Sequence, residues 1–369
     1  MTIVLFILVL VALIVVHEFG HFVVAKWSGM KVDEFGIGYP PRAWGFKKGE
    51  TEYTLNWLPF GGFVRIYGED EQDRVEAAHD SSRAFGSRPR ILQALVLVAG
   101  ILMNLAFAWV LLTGTLALGT TRALSPDEVA SSPDAVLMVA NVLPGSPAAK
   151  AGLVAGDSIL SVQGAGGEYK GVDASGFTAF VAEHEAGIPL LLHVRAQNGT
   201  ERDVSLSAAK GTLANNPERA AIGVAVATAG TVAVPLWEAP WQGAQLTWGV
   251  TKETGVGLWH FFSGLATFSA DLTQVSGPIG IAGAVGDAAH HGLASLMSLT
   301  AVISINLALI NLIPIPALDG GRLLFVAIEA IIRKPLPAYA TRAVNTVGFG
   351  MLILLMVVIT AHDVFKIFG

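Results

Sequence analysis

His17, Glu18 and His21 spell H-E-x-x-H within a strongly apolar segment: Ile3 to Val16 carries no charge, and Phe19, Phe22, Val23, Val24 and Ala25 extend the apolar character past the motif. On a helix, residues four apart lie one turn plus about 40° from each other, roughly 6 Å along the axis. Both imidazoles can then reach one zinc ion, and the intervening glutamate can reach a water beside it. Ionisable groups inside a membrane segment are costly and are functional by default. The motif predicts a zinc hydrolase, and its setting predicts hydrolysis at membrane depth.

Composition supports that setting. The 369 residues are 53% hydrophobic and only 14% charged, against about 25% charged in an average soluble protein. This predicts an integral membrane protein with room for a soluble domain of about 100 residues. A net charge of -6 gives no reason to expect a nucleic-acid partner. The absence of cysteine excludes disulfides and thiolate ligands and leaves His, Asp and Glu to hold a metal. The N-terminus has no basic leading region and no small-residue cleavage site, so it does not read as a signal peptide.

Four regions are apolar enough to span a bilayer: Ile3–Trp27, Ile91–Gly119, Leu293–Leu318 and Ala343–Ala361. Leu323–Ile332 is too short to span, contains Glu329, and reads as a short packed helix. Segment 27–90 holds nine Lys or Arg, including Arg74, whereas the 176 residues from 120 to 295 hold eight. Arg322, Arg333, Lys334 and Arg342 lie between the third and fourth spans. The positive-inside rule places 27–90 and 320–342 in the cytoplasm and both termini and the middle segment outside. His17, His21 and Asp319 then all fall toward the cytoplasmic ends of their spans.

Between the first two spans, Phe35–Tyr39, Tyr53–Leu58 and Phe60–Tyr67 alternate as strands do. A free edge of this β region could pair with an extended peptide, which makes Phe35, Gly36, Gly61 and Gly62 candidate substrate-binding residues; a purely structural hairpin is the other reading. Residues 125–230 contain a turn, a short helix, a Gly-Asp turn and strands at Leu190–Arg195 and Asp203–Leu206. This stretch resembles a bacterial PDZ domain over about 90 residues, a fold that binds peptides by strand addition. Ile222, Gly223 and Val224 are candidates for part of its groove. Trp237, Trp241, Trp248 and Trp259 with Phe261 and Phe262 suggest interfacial helices, ordinary core aromatics being the alternative.

A catalytic zinc takes three protein ligands and leaves a fourth position for water. Asp319 is the best third candidate: it ends a long uncharged stretch and follows Pro314 and Pro316, which prevent a regular helix. Non-helical backbone at membrane depth is tolerated only against protein or a water-filled cavity. Gly320 and Gly321 permit close approach. The bland reading is that Asp319 caps a helix starting near Arg322. His362 and Glu329 are weaker competitors, and His79, His184, His193, His260, His290 and His291 lack ligand spacing.

Taken together, H-E-F-G-H at 17–21, the inserted domain, Ser276-Gly-Pro-Ile-Gly280 and the N-x-x-P-x-P-x-L-D-G run at 311–320 resemble the site-2 protease family, in particular its RseP-type bacterial intramembrane zinc metalloproteases. The resemblance implies one Zn2+ held by His17, His21 and Asp319, Glu18 as general base, and Asn311 as a residue that helps position substrate. It implies a β region near the active site, single-span membrane proteins such as anti-sigma factors or signal-peptide remnants as substrates, and peptide C-termini as ligands of the PDZ domain. It also implies a bacterial cytoplasmic membrane location with the PDZ domain outside. Two departures stand out. The family's A-G-P-x-x-N here reads Ala99-Gly-Ile-Leu-Met-Asn104, and the chain has room for one PDZ domain where enterobacterial members have two.

The expected architecture is a polytopic α-helical membrane protein with about four transmembrane helices, a membrane-associated β-hairpin region and an inserted α+β PDZ domain. Its layout is a first span with HExxH (1–27), a β region (28–90), a second span (91–119), the PDZ domain (125–230), interfacial helices (231–292), a third span with the LDG motif (293–322), and a short helix plus fourth span (323–369). A membrane-anchored PDZ scaffold with a structural or inactive metal site is the competing reading, although a structural site needs no Glu18. A zinc or proton transporter predicts further ionisable residues along the spans, and the second and fourth have none.

Overall fold

The computed structural model describes residues 2–69, 81–129, 132, 134–196, 199–210, 212, 220–267, 269 and 276–368; Arg74 and His79 lie outside them. The chain divides into two compact units, Met1–Thr115 with Leu236–Gly369, and Leu116–Pro235.

The first unit begins with α1 (Thr2–Trp27), followed by β1 (Val32–Lys48), β2 (Thr51–Ile66) and α2 (Arg90–Leu118), which runs on to the edge of the second unit. Among the described residues, four helices are long and apolar enough to cross a membrane: α1, α2, Leu293–Leu312 and a final helix within Ala338–Phe368. Only 11% of the final helix's most apolar window is buried by protein, so its Val347, Met351, Leu354 and Val357 present an apolar face that suits lipid rather than water.

Glycines set the crossing of α1 on α2. A Cβ at Gly20 would lie 2.4 Å from the Ala99 carbonyl oxygen, and one at Gly100 would lie 2.4 Å from His21 Nε2. Only glycine permits that approach.

The β region is more folded than a simple hairpin. Residues 34–37 of β1 pair with 62–65 on one side, where partner numbers fall, and with 52–55 on the other, where they rise; 42–48 then pair with 51–56. Four short segments thus form one small sheet from two bent strands. Among the described residues no further strand pairs with Gly62–Ile66. The sheet is tied to α1 by Glu50, which accepts from Lys26 Nζ at 2.7 Å and from both terminal nitrogens of Arg83 at 2.7 and 2.8 Å.

In the second unit, β3 (Thr120–Ala123), α3 (Pro126–Val129), β4 (Val136–Val142), α4 (Pro147–Lys150), β5 (Ser158–Gly164), β6 (Gly167–Tyr169), α5 (Ala174–Glu183), β7 (Pro189–Arg195), β8 (Glu201–Ser207) and β9 (Val224–Val232) form a seven-stranded sheet with short helices. Its order is β3-β9-β4-β5-β7-β8, with β6 beside β5. Alternating inward residues of β7, Leu190, Leu192 and Val194, meet Leu137, Val139, Val162 and Phe177 in the core. Ser146 caps α4 and Asp173 caps α5. The unit begins earlier than expected: β3 precedes residue 125 and pairs with the far end of β9.

The remainder of the first unit comprises α6 (Ala239–Ala266), α7 (Pro278–His290), α8 (Leu293–Leu312), α9 (Asp319–Ile332) and α10 (Ala338–Phe368). Trp237, before α6, and Trp241, Trp248 and Trp259, on it, are all at least 64% exposed, so these rings are not core aromatics. The third apolar region differs from its expected extent of 293–322. The helix stops at Leu312, residues 313–318 are irregular, and Asp319 opens the next helix instead of ending the span. Pro314 and Pro316 forbid the ladder there, and Asn345 of α10 accepts from Ala317 N–H at 3.2 Å.

Candidate metal centre

The break after α8 delivers Asp319 to the HExxH turn. His17 Nε2 lies 2.9 Å from Asp319 Oδ2 and 3.1 Å from His21 Nε2, and His21 Nε2 lies 3.2 Å from the same carboxylate oxygen. Both histidines are buried. Among the described residues, no other group of three His, Asp or Glu side chains converges in this way. The glycines after Asp319 make the turn possible: a Cβ at Gly320 or Gly321 would sit 2.3 Å from the carbonyl oxygens of Ile313 or Ile315.

The donor set suits zinc. His21 Nδ1 is 2.8 Å from the Val96 carbonyl oxygen, which can only accept, so Nδ1 carries the proton and in the neutral ring Nε2 keeps its lone pair. That lone pair faces a carboxylate oxygen and a second imidazole nitrogen, an arrangement that favours a cation. Tetrahedral zinc with ligands at about 2.0–2.1 Å separates its ligand atoms by about 3.3 Å, and the three separations here lie within about 0.5 Å of that.

The other expected site residues fall at different distances. A Cβ at Gly62 would lie 3.7 Å from Glu18 Cγ, so the glutamate lies against β2 at Gly62. Asn311 Nδ2 approaches His17 Nε2 at 3.5 Å. Gly36 pairs with Phe63 and Thr54 inside the small sheet. The Phe35 ring is buried against Phe22 and Tyr53, and Phe35 itself pairs with Val64 on one side and Tyr53 on the other. Gly61 precedes Gly62 on β2, and a Cβ there would meet the Tyr39 ring at 2.5 Å. Ile222, Gly223 and Val224 belong to the other unit: Ile222 packs in its core, Gly223 has φ +82°, and Val224 begins β9. The weaker ligand candidates lie outside this group. Glu329 pairs with Arg90 at 2.9 Å and accepts from Leu336 N–H. His362 adjoins Asp363, which accepts from Gly277 and Gly280 N–H at the start of α7.

Residues 5–355 match the family model for peptidase family M50. The chain belongs to peptidase family M50. Across this peptidase family, known by its site-2 proteases, the similar proteins span nearly the whole chain. A Clostridium perfringens protein named as a candidate zinc metalloprotease is 36% identical over 354 residues, covering 96% of this chain and 95% of its own. A Synechocystis protein of the same description is 32% identical over 359 residues, covering 96% and 92%. The zinc metalloprotease RasP of Geobacillus kaustophilus is 29% identical over a 442-residue alignment covering 100% and 98%.

Sequence reasoning on this M50 peptidase missed two contributors to the centre. Val96 acts through its carbonyl oxygen, which carries no sequence signal. Gly100 lies directly under both histidine rings, and its sequence mark is its place in the Ala99–Asn104 stretch that resembles the family's A-G-P-x-x-N.

Proposed function

We propose that this M50 peptidase is an intramembrane zinc endopeptidase that cleaves peptide bonds within or near the transmembrane segments of single-span proteins. The observation that carries the reading is the buried convergence of His17 and His21 on Asp319, which lies 302 residues beyond His17 in sequence, between helices of membrane-spanning length. His17, His21 and Asp319 hold one Zn2+. When bound, the ion polarises the scissile carbonyl and makes water an effective nucleophile near neutral pH.

The protein supplies the rest. Glu18 takes the proton of the attacking water and returns it to the leaving amine. Asn311 holds the substrate backbone beside His17. A transmembrane substrate hides its peptide bonds in a helical ladder and must unwind before cleavage. The free edge at Gly61–Ile66 accepts the unwound segment as an added strand, and Gly62 next to Glu18 brings that strand to the base.

The inserted unit is read as a single PDZ domain. Its strands and the Gly223 turn before β9 support this, with Ile222, Gly223 and Val224 offering backbone to peptide C-termini. The bias of Lys and Arg toward 27–90 and 320–342 supports a multi-pass protein of the bacterial cytoplasmic membrane, with the catalytic centre toward the cytoplasm and the inserted unit outside. Anti-sigma factors and signal-peptide remnants fit such a site, in the manner of regulated intramembrane proteolysis.

The test compares purified wild type and Glu18→Gln in proteoliposomes on a single-span substrate, reading fragments by mass spectrometry. Cleavage inside the span by wild type alone is expected, and equal cleavage by both forms would rule the assignment out.

A further inference from the structure

We infer that Asn104 is a positioning residue for His17: its side-chain oxygen accepts a hydrogen bond from His17 Nδ1–H, which leaves the Nε2 lone pair turned toward Asp319 and His21. The inference rests on the reading of His17 as a zinc ligand. Asn104 is fully buried on α2, and its amide nitrogen lies 3.2 Å from His17 Nδ1. In that orientation the amide would donate to Nδ1, and the proton of a neutral His17 would have to sit on Nε2, in the place a metal would occupy. The amide oxygen has no hydrogen-bond partner in that orientation, so no other contact holds the group that way round. The two ends of a carboxamide are interchangeable in shape, and the hydrogen-bond network decides between them. Turned over, the oxygen meets Nδ1–H and Nε2 is freed.

The surroundings of α2 support this assignment. Val96, Gly100 and Asn104 lie four apart and share one helix face. Val96 O takes the Nδ1 proton of His21 at 2.8 Å, and Asn104 stands in the corresponding place for His17. Gly100 lies between them, where a Cβ would be 2.4 Å from His21 Nε2 and 2.9 Å from His17 Cε1. The two rings meet at 84°, so their outer edges diverge toward these separate partners. Ser304 of α8, itself fully buried, donates to the Asn104 carbonyl oxygen at 2.8 Å and holds that turn of α2. One face of α2 thus orients both rings, and outer partners of this kind commonly set ligand tautomer and metal affinity.

The experiment uses the full chain in detergent and reads zinc retained against a graded chelator, with the visible spectrum of the cobalt-substituted protein as a second readout. Asn104→Leu removes the acceptor and is expected to weaken zinc binding by about 10–100-fold. Asn104→Asp can accept and cannot donate, so it is expected to keep wild-type zinc affinity and cobalt spectrum. Zinc-free melting curves separate a merely structural role, which would lower the stability of the apo protein in both variants and leave their zinc affinities alike. Loss of zinc by Asn104→Asp, or wild-type retention by Asn104→Leu, overturns the inference. If Asn104→Leu does not fold, Asn104→Asp against wild type decides it alone. A His17→Ala control that keeps full zinc would instead overturn the ligand reading.

Discussion

Gly100 sits directly beneath His21: a methyl group at position 100 would lie 2.4 Å from Nε2, well inside contact distance. The nearest atoms belong to the two HExxH rings rather than to a flexible surface chain, so Gly100→Ala must displace them. Overpacking of this kind typically costs about 1–3 kcal/mol. Gly100→Ala is expected to lower zinc retention and melting temperature together, whereas Gly249→Ala, where no neighbouring side chain or segment lies within 4 Å of the added methyl, should lower neither. Full zinc retention by Gly100→Ala would contradict the close crossing of α1 and α2.

Asp319→Asn keeps the shape of the third side chain but removes its charge. Zinc affinity should fall by more than the 10–100-fold typical of losing an outer partner, with a parallel loss of cleavage. Chelator treatment of wild type should abolish cleavage, and added zinc should restore it. The readouts are metal content and fragment yield.

The edge strand offers a separate test. Successive N–H groups on a strand point to opposite sides, so of Phe63→Pro and Val64→Pro one removes an outward donor and the other a donor facing β1. The outward substitution should slow cleavage while zinc content stays at the wild-type level. Unchanged rates in both variants would remove strand addition from the mechanism.

Glu50 governs the acid limit of the β region. Its hydrogen bonds to Arg83 first, and to Lys26 second, hold the carboxyl down to about 2 from an ordinary 4.5. A depressed carboxyl contributes stability that is present above its unfolded value and lost as pH falls from about 4.5 toward 2. The protection of residues 32–66 against hydrogen exchange, taken relative to the intrinsic rate at each pH, should therefore fall across that interval in wild type. Glu50→Gln should show faster exchange already at neutral pH and a flatter response to acid.

Much of this was legible locally. The HExxH spacing, the uncharged runs and the prolines at 314 and 316 act over one or two helical turns, and helix geometry translates them directly. Asp319 could be singled out because a carboxylate at the end of an apolar run is expensive and needs a reason. The β region was visible as alternation, but its four-segment pairing was not, because register depends on where β1 and β2 bend. Strand β3 escaped notice: four residues with an exposed arginine have no apolar alternation to reveal them, and only pairing with β9 makes them a strand.

The sequence by itself determined that two imidazoles and a glutamate lie within little more than one helical turn inside a membrane-length apolar segment, because covalent spacing and helical pitch leave no alternative. Tertiary structure alone decided how that turn is completed. Asp319 reaches it only because α8 stops at Leu312, and the Val96 carbonyl and Asn104 meet the rings only because glycines let α1 and α2 approach. Those relationships depend on packing between distant segments, and a backbone oxygen or a missing side chain leaves almost no mark in a sequence.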